Sequence, residues 1–313
     1  MLIVAALGGN ALLKRGEPLT AEAQRLNVQT AARSLAEIVR AGHQLVVTHG
    51  NGPQVGLLAL QGAAYKPDEA YPLDVLGAET EGMIGYMIEQ ELENVLDHDR
   101  PVATLLTQVI VDRDDPAFAR PTKFVGPVYD KADAEARAAA AGWQIAADGD
   151  KWRRVVASPT PREIPDLRVL TLLLAQQVVV ICTGGGGIPV VRCRDGSLMG
   201  VEAVIDKDAA SALLARQLGA DALLLLTDVD AVYRDYGTDQ AAPVTVIGPT
   251  QARQLNVPAG SMGPKVAAAC DFGDSGGLSG IGRLEDARAI LEGRAGTRIV
   301  DAASGWADRE GAG

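Results

Sequence analysis

The chain opens with LIVAAL (residues 2–7), followed at once by GGN (8–10). The first six residues are apolar without alternating polar positions, which predicts a strand buried on both faces, as in a parallel sheet. The glycines predict a loop at the carboxyl end of that strand, where open α/β sheets bind ligands. Four later runs have the same character: Gln44–Thr48, Val102–Val111, Val178–Thr183 and Ala222–Thr227.

Longer amphipathic segments lie between these runs and predict helices. They are Ala21–Ala41, Gly52–Ala64, Ala78–Asp97, Asp208–Leu218, Pro264–Asp271 and Leu284–Leu291. Thr20 is the predicted N-cap of the first, and Gly42 and Gly219 are predicted terminating glycines. Alternating strands and helices predict an α/β fold, a three-layer α/β/α sandwich with a mostly parallel central sheet.

One region departs from this rhythm, because six of the 16 prolines fall between Pro116 and Pro165. It also holds a short alanine-rich helical segment near 130–141. We expect a small protruding subdomain or lid over 112–163, inserted into a core made of 1–111 and 164–303. The polar residues 304–313 are expected to be a frayed tail.

Composition excludes several classes of protein. Asp and Glu number 40 against 29 Lys and Arg, a net charge of −11, so we expect no nucleic-acid partner and no anionic membrane surface. No apolar run reaches the roughly 20 residues of a membrane span. Three cysteines in 313 residues indicate a reducing compartment, and we expect a cytoplasmic protein.

Glycines gather in three loops behind predicted strands, in GGN (8–10), HGNGP (49–53) and TGGGGIP (183–189). Glycine lets backbone N–H groups surround an anion, and a following helix N-terminus adds partial positive charge. A single such loop is more often an ordinary tight turn, but three together favour a phosphate site. None is followed by the Lys-Ser/Thr pair of a Walker A loop, and none fits the dinucleotide pattern G-x-G-x-x-G.

Two lysines lie at predicted helix starts, Lys207 in IDKD (205–208) and Lys265 in GSMGPK (260–265). A cation in a first helical turn opposes the helix dipole unless an anion lies nearby. Together with the glycine loops, they predict a phosphoryl-transfer site in which lysines neutralise the moving phosphate. Asp206 and Asp208 are candidates to orient the lysines, to hold Mg²⁺ or to cap the helix.

The sequence LTDVDAVY (226–233) follows the last predicted strand. A loop with aspartate and tyrosine at this position suits the ribose and base of a nucleotide, although a capped turn explains it nearly as well. Asp228 and Tyr233 are therefore candidate nucleotide ligands.

These motifs occur in the order found in carbamate kinases, and the chain resembles that family from residue 2 to about residue 300. The motifs are LGGNALL (7–13), THGNGPQVG (48–56), TEGMIGY (80–86), PTKFVGPVY (121–129), CTGGGGIPVV (182–191), GVEAVIDKD (200–208), LTDVDAVY (226–233) and GSMGPK (260–265). The glycine loops alone would indicate only the wider amino acid kinase superfamily. PTKFVGP, GVEAVIDKD and the four-glycine motif are specific to this branch.

The resemblance implies an α/β/α homodimer that catalyses ADP + carbamoyl phosphate ⇌ ATP + carbamate with Mg²⁺. The N-terminal part of the core would lie on the substrate side and the C-terminal part on the nucleotide side. The metal would be held mainly by phosphates, and no protein ligand for it is predicted. Small molecules would be the substrates, and the sequence does not choose between arginine metabolism, agmatine breakdown and purine breakdown.

The resemblance also assigns residues. Lys207 and Lys265 match the lysines on the transferred phosphoryl group, Asp208 the aspartate that orients them, and Lys123 a subdomain lysine that can close onto the site. The remaining matches are, for substrate and phosphate, Gly8, Gly9, Asn10, Gly50, Asn51, Gly52, Gly184, Gly185, Gly186 and Gly187, and, for nucleotide, Asp228, Tyr233 and Met262.

Two alternatives stay open from the sequence. One is another small-acid kinase of the same superfamily, whose pocket would need more room and a guanidinium or amide group for its substrate. The other is a nucleotide-binding sensor without turnover, which would have no need to retain Lys207, Asp208 and Lys265 together.

Overall fold

The computed structural model of the chain describes residues 1–13, 16–66, 69–258, 260–301 and 306. Its strands are β1 (Leu2–Leu7), β2 (Gln44–His49), β3 (Val102–Thr104), β4 (Gln108–Val111), β5 (Lys123–Tyr129), β6 (Gln144–Asp148), β7 (Lys151–Val156), β8 (Pro161–Glu163), β9 (Val179–Ile181), β10 (Ile188–Arg192), β11 (Leu198–Gly200), β12 (Ala222–Thr227), β13 (Val232–Arg234), β14 (Ala242–Val244), β15 (Val246–Ile247), β16 (Leu278–Arg283) and β17 (Thr297–Ile299). Its α-helices are α1 (Ala21–Arg40), α2 (Gly52–Tyr65), α3 (Leu73–Val95), α4 (Lys131–Ala141), α5 (Leu167–Ala175), α6 (Lys207–Leu218), α7 (Pro249–Ala252), α8 (Met262–Gly273) and α9 (Ala287–Leu291).

Eight of the strands form the central sheet, in the order β15-β17-β16-β12-β1-β2-β9-β3. Every neighbouring pair runs parallel except β16 with β17. The predicted mostly parallel sheet is therefore confirmed, with β1 near its centre between β12 and β2.

The sheet separates two hydrophobic cores, because successive side chains of a strand point to opposite faces. On one face Ile3 and Ala5 of β1 pack with buried residues of α1, α3 and α9. On the other, Val4 and Ala6 pack with α5, α6 and α8. Both faces of β1 are fully buried, which explains why its sequence lacks polar alternation. The three-layer α/β/α prediction is confirmed.

Two element predictions need correction. The run Val102–Val111 is not one strand, since β3 ends at Thr104 and β4 joins a second sheet of order β11-β10-β4-β8. The chain turns between them because the buried N–H of Thr107 donates to the carboxylate of Glu81, not to a strand. The helix predicted from Ala78 begins five residues earlier, at Leu73, whose side chain is buried.

The predicted subdomain range, 112–163, contains a separate antiparallel sheet of order β5-β7-β6, with α4 packed on β6 and β7. This sheet meets the core where β5 lies against α2. A Cβ atom at Gly56 of α2 would lie 2.3 Å from the Cα of Gly126 in β5. The two backbones come this close because Gly56 has no side chain, while the φ of +72° at Gly126 favours glycine there.

The ends of the helices follow their sequence signals. The Thr20 side chain accepts a hydrogen bond from the N–H of Ala23, and Gly42 and Gly219 adopt the left-handed conformation expected behind a helix. The expected frayed tail, 304–313, lies outside the described residues apart from Trp306. In the part of the chain that the structure describes, no helix has the length and apolar character needed to cross a membrane.

Candidate active site

The predicted loops follow four adjacent strands and lie at one edge of the central sheet. β12, β1, β2 and β9 are neighbours and run parallel, so their carboxyl ends lie side by side. The segments behind them border one cavity of about 560 Å³. The predicted site residues on its wall are Gly8, Gly9, Gly50, Asn51, Gly52, Lys123, Gly185, Lys207, Asp208, Asp228, Met262 and Lys265.

Lys207, Asp208 and Lys265 form one ionic cluster where α6 packs against α8. Lys207 Nζ lies 2.5 Å from Asp208 Oδ1, and Lys265 Nζ lies 3.0 Å from Asp208 Oδ2. One carboxylate thus bridges two ammonium groups. The carboxylate also offsets the unfavourable position of a lysine in the first turn of each helix.

The cluster is largely removed from solvent, with side-chain exposure of 12% for each lysine and 6% for Asp208. Burial opposes ionisation of Asp208, but the two ammonium groups outweigh it and lower its pKa to about 2. Burial also lowers the pKa of Lys207, and Asp208 offsets part of that effect. Within this cluster, two cations and one anion leave a net positive charge.

Asp206 joins the start of α6 to the subdomain. Its Oδ1 caps the helix, accepting from the N–H groups of Asp208 at 3.0 Å and Ala209 at 3.2 Å. Its Oδ2 accepts from Lys123 Nζ at 2.7 Å. Burial opposes its ionisation, but Lys123 outweighs burial and the pKa of Asp206 is lowered. The same carboxylate therefore orients α6 and holds the subdomain lysine at the cavity.

The glycine loops come so close that side chains would block them. A Cβ at Gly8 would lie 2.8 Å from the carbonyl oxygen of Leu226, and one at Gly185 would lie 2.1 Å from Asn51 Nδ2. Asn51 is held in place because its Nδ2 donates to Thr80 Oγ1 at 2.8 Å. The glycines therefore let backbone and the Asn51 amide group form the cavity wall here without intervening side chains.

Some predicted residues lie behind the wall, not on it. Gly184, Gly186 and Gly187 are buried beneath the cavity. Asn10 lies in the short 3-10 helix Gly9–Ala11, and its side chain is outside the described part of the chain. Tyr233 does not line the cavity; its hydroxyl donates to Asp230 Oδ2 at 3.0 Å.

Sequence reasoning missed several wall residues. Tyr236, Phe124 and Ser261 line the cavity, and Tyr236 is 61% exposed. A tyrosine three residues beyond Tyr233 carried no separate motif signal, and its position depends on the turn after β13. Phe124 lies within PTKFVGPVY and Ser261 within GSMGPK, so membership of those motifs was the available signal.

His49 lies under the loops and not on the cavity wall. It is fully buried, and its Nδ1 lies 3.0 Å from the carbonyl oxygen of Gly50. Burial lowers the pKa of His49 to about 4, so the ring is neutral at pH 7. A buried, neutral ring that contacts the loop backbone indicates a packing and hydrogen-bonding role for His49.

Carboxylates at the cavity already accept hydrogen bonds from neighbouring side chains. Among the described residues no group of three or more His, Cys, Asp and Glu side chains could hold a metal. Both oxygens of Asp208 are engaged by lysines, and Asp228 Oδ1 accepts from Thr227 Oγ1 at 3.1 Å.

Comparison with known proteins agrees with this arrangement. The model of the amino acid kinase family matches residues 1–281. A carbamate kinase of Rhizobium meliloti is 58% identical over 302 residues, covering 96% of this chain and 93% of the relative. A carbamate kinase of Escherichia coli K12 is 52% identical over 298 residues, covering 95% and 98%.

Solved structures give the same result. Carbamate kinase from Giardia lamblia bound to AMP-PNP superposes with a TM-score of 0.88 at 41% identity, covering 96% of this chain and 98% of that one. The fold, the lysine and aspartate cluster and the full-length similarity converge, and the chain belongs to the carbamate kinases of the amino acid kinase family.

Proposed function

We propose that this chain transfers a phosphoryl group reversibly between carbamoyl phosphate and ADP, giving ATP and carbamate. The observation that carries the proposal is the buried cluster in which Asp208 bridges Lys207 and Lys265 beside the glycine loops. The relatives named above are carbamate kinases, which supports the choice of substrate.

The geometry suits in-line transfer, which needs positioning and charge neutralisation more than covalent chemistry. Lys207 and Lys265 approach from two helices and can each bind an oxygen of the moving phosphoryl group. Asp208 fixes both ammonium groups before substrate arrives, so little reorganisation is needed in the transition state. The N–H groups of Gly8 and Gly50 donate to the carbonyl oxygens of Leu226 and Leu7, which fixes the two loops, and the N–H of Gly9 between them would bind a phosphoryl or carbamate oxygen.

No general base is required, since carbamate is already an anionic nucleophile and carbamoyl phosphate needs no proton to release it. This matches a cavity wall with no histidine among its described residues and a neutral His49 behind it. The site therefore works by electrostatics and orientation.

We propose that Mg²⁺ would enter with the nucleotide phosphates, whose oxygens would hold it, and that Asp228, which lines the cavity, is a candidate ligand from the protein. When bound, the ion neutralises phosphate charge and helps to align the β- and γ-phosphates. The nucleotide itself would lie along Asp228 and Met262 on the β12 side of the cavity, with Tyr236 at its edge and Tyr233 behind it.

We also propose that the subdomain acts as a lid. Lys123 is the first residue of β5 and reaches the cavity from outside the central sheet. Its partner, Asp206, adjoins Lys207, so movement of the subdomain changes the charge next to the transferred group. We also propose that the chain forms a homodimer, which the family resemblance implies, and that it is cytoplasmic, which its few cysteines suggest. Light scattering of the purified chain tests the homodimer.

The test is ATP formation from ADP, Mg²⁺ and carbamoyl phosphate, followed with luciferase and corrected with an enzyme-free blank. Lys207→Ala should lower turnover by at least about 100-fold, the scale of losing one preorganised donor. Lys66→Ala is the matched control, because Lys66 is exposed, pairs with Glu69 and lies away from the cavity.

Equal turnover in the wild type and Lys207→Ala would overturn the role of Lys207. No turnover by the wild type, with ADP still bound in calorimetry, would favour another small-acid substrate or a sensor. A panel of small carboxylic acids with ATP then separates those two.

A further inference from the structure

A buried carboxyl group lies beneath the four-glycine loop and has no part in the mechanism above. Glu81 of α3 is 1% exposed, and its Oε2 accepts from the N–H of Thr107 at 2.8 Å. Its other oxygen, Oε1, accepts no hydrogen bond from the described residues. A Cβ at Gly184 would lie 3.0 Å from Glu81 Cγ, so the side chain packs directly under the loop.

Thr107 connects Glu81 to both ends of the glycine loop 184–187. Its Oγ1 accepts from the N–H of Thr183, just before the loop, at 3.1 Å. Its carbonyl oxygen accepts from the N–H of Ile188, just after the loop, at 2.8 Å. The position of Thr107 therefore sets where the loop begins and ends.

The loop needs such support because it begins in an unfavourable conformation. Thr183 is β-branched and buried, yet its φ is +54°, in the left-handed region. Such a residue costs on the order of 1–3 kcal/mol and persists only when its surroundings fix it. The hydrogen bond from its N–H to Thr107 is one such restraint.

We infer that Glu81, in its neutral form, is a positioning residue: through Thr107 it sets the glycine loop that bears Gly185 and so shapes the phosphate and carbamate side of the cavity. The inference rests on the proposed function for the identity of the substrate. Glu81 itself does not line the cavity and touches no reacting atom.

The surroundings of Glu81 favour its neutral form. Burial raises the pKa of Glu81 well above its ordinary value, and the negative charge of Asp166 adds to this. The N–H groups of Thr107 and Gly184 act in the opposite direction. Across Gly184 lies His49, which is neutral at pH 7, and the Cys182 thiol has its pKa raised to about 12 by burial, so no cation offsets a buried negative charge.

The first experiment compares Glu81→Gln, which mimics the neutral acid, with Glu81→Ala, which removes the acceptor. We expect Glu81→Gln to keep the KM for carbamoyl phosphate within about threefold, and Glu81→Ala to raise it about tenfold or more with the KM for ADP unchanged. Glu91→Gln is the control: Glu91 is also buried on α3, but it pairs with Arg25 and lies away from the loop.

A second readout needs no activity. Amide hydrogen exchange over residues 182–188 should be at least about tenfold faster in Glu81→Ala than in the wild type, and unchanged in Glu81→Gln. Thr107→Val, which removes the acceptor for the N–H of Thr183 and leaves the backbone contact with Glu81, should give the same faster exchange. If Glu81→Ala does not fold, Thr107→Val still tests whether the loop depends on Thr107.

The outcomes separate the possibilities. If Glu81→Gln raised the KM for carbamoyl phosphate and the amide exchange rate as much as Glu81→Ala does, a charged carboxylate would be needed. That result would overturn the inference. Wild-type exchange in both Glu81→Ala and Thr107→Val would also overturn it, because the loop would not depend on these contacts. If the wild type made no ATP from carbamoyl phosphate, the proposed function would fail, while the exchange measurements would still decide the role of Glu81.

Discussion

At the scale of single residues, the site depends on one carboxylate. Asp208 has both oxygens taken by lysines, so it cannot move toward either without losing the other. The aspartate fixes the distance between two cations that would otherwise repel each other. The three residues could be predicted from helix starts, glycine loops and family resemblance, but the bridging geometry depends on the packing of α6 against α8.

Asp208→Asn should destabilise the fold by about 3–5 kcal/mol, because it leaves two mostly buried ammonium groups without their anion. Urea unfolding at pH 7 measures this change. The effect should also depend on pH. The folded pKa of Asp208, about 2, lies below its ordinary value of 3.8, so its ionised form stabilises the fold above pH 4 and less so as the pH falls.

The difference in unfolding free energy between wild type and Asp208→Asn should therefore shrink by about 1 kcal/mol from pH 5 to pH 3. The control is Asp195→Asn, since Asp195 is exposed and bonds only its neighbour Ser197. A constant difference across this pH range would contradict the assigned ion pairs.

Glu81 should show the opposite dependence. Its folded pKa is raised, so the unfolded chain releases its proton first, and ionisation favours the unfolded state as the pH rises above about 4.5. Glu81→Gln has no proton to release. We therefore expect the unfolding free energy of Glu81→Gln, measured with urea, to rise relative to that of the wild type between pH 5 and pH 8. If this difference in unfolding free energy stayed constant or fell over that range, Glu81 would be ionised in the folded protein.

At the scale of elements, α6 depends on its first cap. Asp206→Ala should lower stability by about 1–2 kcal/mol, because the N–H groups of Asp208 and Ala209 lose their acceptor. Asp206→Asn should recover most of this loss, since asparagine is an equally good cap. Chemical denaturation of both variants makes the comparison.

Asp206→Asn also separates capping from the ion pair with Lys123. If Lys123 depends on the charge of Asp206, the variant should be stable but impaired in ATP formation. Adding Lys123→Met to it should then cause little further loss. Independent, additive losses would show that Asp206 and Lys123 do not act together.

The elements that sequence predicts well are those with continuous patterns. β1, β2 and β12 are unbroken apolar runs, and their ends agree with prediction within one residue. β16 was not predicted, because LSGIGR contains two glycines that shorten the apolar signal. These glycines face Ile290 and leave room for it, which is information that only packing against α9 supplies.

The residues of the site likewise fall into those that the sequence indicates and those that only the folded structure reveals. Lys207, Lys265 and the loop glycines carry motifs, so sequence indicates them. Glu81 and Tyr236 act through neighbours that lie far away along the chain, or through a turn whose course the sequence does not give. Thr107, for example, meets Glu81 across 26 residues and Thr183 across 76.

At the scale of the whole molecule, one of the contacts between the subdomain and the core is the close approach of two glycines, Gly56 and Gly126. Gly56→Ala would place a Cβ 2.3 Å from the backbone of Gly126, which must shift to make room. We expect the subdomain sheet to move away from α2, carrying Lys123 with it, and ATP formation to fall about tenfold or more on the scale of a misplaced catalytic group.

Gly62→Ala is the control on the same helix, because its nearest contact would be an ordinary 3.8 Å from Ala70 Cβ. That change should stabilise α2 slightly, by roughly 0.5–1 kcal/mol, and leave turnover unchanged. Equal turnover in Gly56→Ala and wild type would show that this contact does not position Lys123.

The central place of β1 in the sheet has a consequence for how the protein is made. β1 is synthesised first, yet its neighbour β12 does not emerge from the ribosome until more than two hundred residues later. Until then one edge of an apolar strand has no partner, and such edges invite pairing between chains. The nascent chain is thus exposed to aggregation for most of its translation, and dependence on molecular chaperones should be greatest for chains stalled before residue 222.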